Sequence, residues 1–344
     1  MIVARRIQMR GTSAKLLAIY AALLLGNAWA WLWAMGSFGG HPALFGMAVL
    51  AYMFGLRHAV DADHIAAIDN VTRKLMQEGQ KPVSVGLYFS LGHSTVVVLA
   101  CITIAMTSVG LRTRFANMRD IGALIGTGVS AMFLFVIALA NILTILSVWR
   151  TFRSIRANDP VVRESGPHGG LLAHLLRPLM GYIGRPWHMY PLGFLFGLGF
   201  DTATEVGLLG ISASQASESV SLAAIMVFPA LFTAGMSLVD TTDGVVMMGA
   251  YGWALVKPMR KLFYNLTITL ISIIVALIVG ALETLNLIAD QFALTGSFWR
   301  WIGDLSNHFG VLGLFIIGML IACWGISLLI QRHRRLDDLD VTAT

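Results

Sequence analysis

Arg57-His58-Ala59-Val60-Asp61-Ala62-Asp63-His64-Ile65 places five ionisable side chains in nine residues, directly after a stretch, 42–56, that carries no charge. An Arg or Asp at the centre of a membrane helix costs about 2.5–3.5 kcal/mol on insertion scales. A chain that keeps such a cluster must use it. Two imidazoles and two carboxylates are the ligand set of a divalent transition metal. Arg57 has no lone pair to offer, so its expected work is pairing with Asp61, four residues on, or with another buried carboxylate. A salt-bridge lock between helices would need fewer groups, because two His and two Asp exceed what one Arg balances.

Three further apolar runs carry polar groups. Phe89-Ser90-Leu91-Gly92-His93-Ser94-Thr95 contains His93. Leu198-Gly199-Phe200-Asp201-Thr202-Ala203-Thr204-Glu205 sets Asp201 and Glu205 four apart, on one helix face. Gly235-Met236-Ser237-Leu238-Val239-Asp240-Thr241-Thr242-Asp243 sets Asp240 and Asp243 three apart, again on one face. Four polar helices at overlapping depths point to one pathway through a membrane. Glu283, near the outer end of its run, reads as an interface charge.

On an unbroken helix at 100° per residue, Arg57, His58, Asp61 and His64 fall within an arc of about 120°, while Asp63 lies on the far side, at about +140° from His58. Either Asp63 bonds a neighbouring helix or the helix unwinds here. Unwinding would also free backbone carbonyls, as in transporters built on broken helices.

The elements that must position these groups are membrane helices. The 344 residues are 57% hydrophobic and only 12% charged, half the charged fraction of a soluble protein. Hydropathy marks eight spans of about 20 residues or more: 16–38, 43–68, 83–107, 121–148, 189–211, 222–256, 266–288 and 311–330. The expected fold is an all-α polytopic membrane protein, a single transmembrane domain over 1–344. The second and sixth spans are long, and a break or a cytoplasmic extension is expected in each. Arg5, Arg6 and Arg10 precede the first span, which is too long for a signal-peptide core of about 7–15 residues and is read as retained. Nineteen Lys and Arg, with Arg73 counted in the 2–3 loop, fall on the side of both termini, and four on the other. The positive-inside rule then makes both termini cytoplasmic, and the net charge of +6 is no nucleic-acid signal. The one large loop, 149–188, holds Pro160, Pro167, Pro178, Pro186 and Gly169-Gly170 and reads as a cytoplasmic connector. Gly122/Gly126 and Gly193/Gly197 have the G-x-x-x-G spacing of close helix packing. Phe54-Gly55-Leu56 and Phe196-Gly197-Leu198 precede the second- and fifth-span clusters in helices that run in opposite directions, a faint trace of an inverted repeat.

The four polar blocks together resemble the nickel/cobalt transporter family. Residues 57–65 match its second-span block, Leu91-Gly92-His93-Ser94-Thr95-Val96-Val97 its third-span block, and 198–205 and 235–243 those of the fifth and sixth. The resemblance covers all eight spans. It implies secondary uptake of Ni²⁺, with Co²⁺ as a second ion, across a bacterial inner membrane. It implies that His58, Asp61, Asp63 and His64 are central. It also links a polar residue of the first span to ion selectivity, which here is Asn27. His93, Asp201, Glu205, Asp240 and Asp243 complete the expected metal-handling set. The metal is substrate, and no resident cofactor is expected.

Two other functions compete. An intramembrane metalloenzyme would need a chelating pair such as H-E-x-x-H, which is absent; the His58–His64 spacing does not supply one. Metal efflux is compatible with the clusters, which do not set direction, though such exporters often carry a His-rich loop and 149–188 has only scattered His. No G-x-x-x-x-G-K-[ST] loop is present for ATP hydrolysis, so the membrane potential is the expected driving force and no ATPase subunit is implied.

Overall fold

The computed structural model describes residues 2–106, 109–156, 183–199, 203–217, 220–254, 258–306, 308–319 and 322. Asp201, His168, His174, Cys323, the C-terminal basic residues and residues 157–182 of the connecting loop lie outside the described residues.

Among the described residues the regular structure is helical. α1 spans Ile2–Phe38, α2 Pro42–His58, α3 Ala62–Gln77, α4 Val85–Met106 and α5 Val109–Arg156. After a single 3₁₀ turn at Pro186–His188 come α6 (Met189–Gly197), α7 (Ala203–Ser217), the short α8 (Leu222–Ile225), α9 (Val227–Ala254), α10 (Pro258–Gln291) and α11 (Ser297–Ser306). α12 covers Phe309–Met319. Among the described residues five stretches are long and apolar enough to cross a membrane: Ser13–Phe38, Val85–Met106, Ile121–Leu143, Leu222–Tyr251 and Thr269–Gln291. The bent pairs α2–α3 and α11–α12 raise the number to seven if each is one span. The expected fifth span falls on α6 and α7, which are separated by residues 198–202.

The second span is broken where its charges sit. α2 and α3 meet at 50°, although residues 59–61 include neither proline nor glycine. Asp61 stands at the N-cap of α3 with extended backbone (φ −66°, ψ 147°) and makes no side-chain cap hydrogen bond. An N-cap Asp ordinarily accepts from an amide of the first turn. Here the carboxylate goes to His58 Nδ1 instead, at 3.1 Å. The break is closed by tight backbone bonds, Val60 N to Arg57 O and Asp61 N to His58 O, at 3.2 and 3.0 Å. The sixth span runs unbroken through its polar cluster; among its described residues the irregular one, Met226, precedes α9.

Glycines set how closely the helices approach. A Cβ on Gly86 of α4 would overlap the Asp240 carbonyl of α9, and one on Gly55 of α2 would overlap the backbone of Phe232. α4 and α6 meet reciprocally: Gly92 lies against the Tyr190 carbonyl and Gly193 against that of Phe89. Gly122 and Gly126 of α5 pack on the turn at Leu198 and Gly199, and Gly197 on His93. All four G-x-x-x-G glycines therefore serve packing, the role small residues have where lipid offers no hydrophobic drive to association. The tight seams α2–α9, α4–α9 and α4–α6 enclose one buried volume. Phe228, Leu231 and Phe232 line its apolar side with Val97 and Cys101.

Candidate functional site

Five helix segments deliver side chains to that volume. α2 ends at His58, α3 opens with Asp63 and His64, α4 contributes His93, α7 contributes Thr204 and Glu205 in its first turn, and α9 contributes Asp240. His58, His64 and His93 are at most 3% exposed. Their rings form a nearly equilateral triangle, with centroids 4.6, 4.7 and 4.9 Å apart. Each offers one nitrogen such that all three lie within 4.8 Å of one another. His58 Nε2 and His93 Nε2 are 3.0 Å apart. Glu205 Oε1 stands 2.8 Å from His93 Nε2 and 3.8 Å from His58 Nε2. Two nitrogens 3.0 Å apart, each about 2.1 Å from a shared ion, would subtend roughly 90° there. That angle belongs to square-planar and octahedral coordination, the former being a Ni²⁺ habit.

The opposite edges of two rings are held by carboxylates. His58 Nδ1 meets Asp61 Oδ2 at 3.1 Å, with Thr204 Oγ1 at 3.4 Å. His64 Nδ1 meets Asp240 Oδ1 at 3.3 Å. A carboxylate on the far nitrogen fixes ring orientation and raises the basicity of the near one, as outer-shell carboxylates do around metal-bound histidines. Three buried polar atoms here have no hydrogen-bond partner: His64 Nε2, His93 Nδ1 and Asp240 Oδ2. An uncompensated buried polar atom costs about 1–3 kcal/mol, so this site is shaped for something that takes lone pairs. The walls are aromatic. Phe89 meets the His64 ring edge-on at 4.8 Å, and Phe232 lies 5.6 Å from the His58 ring.

A model of the family described as high-affinity nickel-transport protein matches residues 44–330. A high-affinity nickel transport protein of Cupriavidus necator is 54% identical over 334 residues, covering 96% of this chain and 95% of its own. The chain belongs to the high-affinity nickel-transport family. The hydrogenase nickel incorporation protein HupN of Bradyrhizobium diazoefficiens is 50% identical, covering 92% of this chain and 84% of its own length. The cobalt transport protein NhlF of Rhodococcus rhodochrous is 38% identical, covering 85% of each. No solved structure matches. The family is one of transporters, not enzymes.

Within this member of the family, the residues expected from sequence are distributed unevenly. His58, His64, His93, Glu205, Asp61 and Asp240 converge. Asp63 departs from its helical-wheel position: the break lets it stand within electrostatic reach of His58, His64, His93 and Asp240. Arg57 acts electrostatically on Asp61, and both border Gly310 of α12, whose Cβ would lie 3.3 Å from Asp61 Oδ1. Asp243 is buried one turn beyond Asp240. Asn27 joins helices rather than the histidines: its Nδ2 donates to Leu23 and Ala234 carbonyls at 2.9 and 3.2 Å, and its Oδ1 accepts from Tyr52 at 3.0 Å. Glu283 is buried among the helices and accepts from Ser130 at 2.9 Å.

A second polar network lies on α3 beyond the cluster, and the sequence reading missed it by assigning Arg73 to the cytoplasmic loop. Arg73 is buried; it donates to Thr269 at 2.7 Å and to Asn70 at 2.8 Å. Asn141 of α5 donates to Asn70 Oδ1 at 2.9 Å. Asp69 accepts from Tyr251, and from Ser272 at 2.9 Å. The signal was Asp69 and Arg73, four apart on one face and in phase with Ile65.

Proposed function

We propose that this chain takes up Ni²⁺, with Co²⁺ as a second ion, across the bacterial inner membrane by secondary transport. The observation that carries this reading is the convergence of His58, His64 and His93, with Glu205, inside a bundle of apolar helices. Three imidazoles and one carboxylate favour ions late in the first transition row over Mg²⁺ and Ca²⁺, which prefer all-oxygen sites. The incoming ion exchanges water for His58 Nε2, His93 Nε2 and His64 Nε2, with Glu205 as the oxygen donor. Asp61 and Asp240 are positioning residues that hold His58 and His64. Asp63 adds negative charge that offsets the ion. Asp201 belongs to this set on the strength of its block in the fifth span, and Asp243 stands on the way out. A divalent ion moving inward gains about 2.3 kcal/mol per charge per 100 mV of membrane potential.

The topology that serves this function has eight spans in one domain, both termini cytoplasmic, and 149–188 as the connecting loop. The count of Lys and Arg supports that orientation. An inverted repeat is supported by the two Phe-Gly-Leu runs, since Phe54-Gly55-Leu56 comes just before the end of α2 and Phe196-Gly197 ends α6, each followed by a break in regular helix.

The test is accumulation of radioactive nickel at nanomolar metal, with cobalt as competitor. Cells with the wild-type chain should accumulate nickel, and His58→Ala cells should not. Equal accumulation by both would overturn the site. A deletion strain that becomes nickel-sensitive rather than nickel-starved would reverse the direction to efflux.

A further inference from the structure

The region beyond the histidines has a composition of its own. His64 lies in the first turn of α3 and Asp240 midway along α9. Along α3, Asp69 and Thr72 follow His64 by five and eight residues, about 7.5 and 12 Å at helical rise. Along α9, Asp243 follows Asp240 by three. The two helices pack together over this length, and Asp243 interacts electrostatically with both Asp69 and Asp240. Gly244 lets α3 approach: a Cβ there would stand 3.4 Å from Ile68 Cγ2 and 3.9 Å from Thr72 Oγ1.

Charge in this space does not balance. Asp240 is engaged by His64. Asp69 is offset by Arg73 and held by Tyr251 and Ser272. Asp243 faces two more carboxylates. Its Oδ2 has no hydrogen-bond partner although the residue is 7% exposed, and Thr72 Oγ1, 0% exposed, has none either. A carboxylate oxygen and a hydroxyl left bare beside two acidic neighbours is an arrangement completed by a cation.

Resting on the transport reading above, we propose a second divalent-cation station between α3 and α9, made by Asp243, Thr72 and Asp69, on the cytoplasmic side of the histidines. Its donors are all oxygen. Such a set discriminates weakly among divalent ions and suits Mn²⁺ as well as Ni²⁺. An ion released by the imidazoles would be held here loosely on its way to the cytoplasm. Rigidity comes from the Asn70–Arg73–Thr269 network, which fixes α3 against α10 and α5.

Mn²⁺ is the probe, because the imidazole set favours Ni²⁺ far more than the oxygen set does. The full chain is placed in lipid nanodiscs, and free Mn²⁺ is followed by electron paramagnetic resonance while tight Ni²⁺ binding is measured by calorimetry. Wild type should bind one Mn²⁺. Asp243→Asn and Thr72→Val should each weaken it by about tenfold or more and keep the tight Ni²⁺ site. His58→Ala should keep Mn²⁺ and lose tight Ni²⁺. No Mn²⁺ binding by wild type, Mn²⁺ binding unchanged in Asp243→Asn, or its loss in His58→Ala would each overturn the second station. Retention of tight Ni²⁺ in His58→Ala would instead overturn the histidine site and leave the Mn²⁺ result standing. If Asp243→Asn loses both ions, Thr72→Val decides: Mn²⁺ weakened alone supports the station, and Mn²⁺ unchanged overturns it.

Discussion

His58, the last residue of α2, and His93 of α4 face each other through their Nε2 atoms, 3.0 Å apart. Neither nitrogen is free to turn away, since Asp61 holds the far edge of one ring and Glu205 sits beside the other. Removing either imidazole takes away a donor that no neighbour on the same helix can replace. His58→Ala and His93→Ala should each lower Ni²⁺ affinity by more than the about 10–100-fold typical of losing an outer partner. Calorimetry on protein in detergent, with circular dichroism to verify helix content, reads this directly. An affinity within a factor of a few of wild type would show that the pair does not ligate.

Asp240 touches His64 and not the other two rings. Asp240→Asn keeps a hydrogen-bonding group of the same size and removes the charge. Ni²⁺ affinity should fall by about 10–100-fold, and Asp240→Ala should fall further because the ring then loses its anchor. If the asparagine variant lost binding as completely as alanine, the charge of Asp240 rather than its hold on His64 would be the active feature.

Glycine substitutions separate packing from mere helix propensity. Gly193→Ala drives a methyl group into the Phe89 carbonyl, whereas a methyl group on Gly128 would meet nothing within 4 Å. Overpacking costs about 1–3 kcal/mol or more, while alanine in an open helix interior gains about 0.5–1 kcal/mol over glycine. Thermal unfolding in detergent should show a lower Tm for Gly193→Ala and an equal or higher one for Gly128→Ala.

Asn27 ties α1 to α2 and α9 through two hydrogen bonds, from Tyr52 and to the Ala234 carbonyl, and also bonds Leu23 of its own helix. Interhelical polar contacts in membranes average about 0.6 kcal/mol each. Asn27→Leu should therefore lower stability by about 1 kcal/mol and leave the ratio of Ni²⁺ to Co²⁺ uptake as it was. A changed ratio in a competition assay would return Asn27 to a selectivity role.

The residue types of the site were legible because charge in an apolar run is conspicuous: His58, His64, His93, Glu205 and Asp240 could all be named from their blocks. The position of Asp63 was not, because a helical wheel assumes an unbroken helix. The break carries no proline or glycine. Its signal is subtler, an Asp at a possible N-cap followed by a second Asp in the first turn. Arg73 was misplaced for a related reason. A span trimmed to about 20 residues ends near Ile68, but a helix bent by 50° continues in the protein interior, so the rest of α3 is buried too.

The reciprocal glycine contacts of α4 and α6 have a mechanical meaning. Two backbones locked at Gly92–Tyr190 and Phe89–Gly193 cannot slide or roll past each other without parting altogether. His93 is therefore mounted on a stiff frame, while His58 and His64 sit either side of a bend closed by a few backbone bonds. The elbow between α2 and α3 is clamped as well, since Gly55 of α2 lies against the Phe232 backbone of α9, so the spacing of the three imidazoles is set by backbone contacts at glycines rather than by the side chains around them.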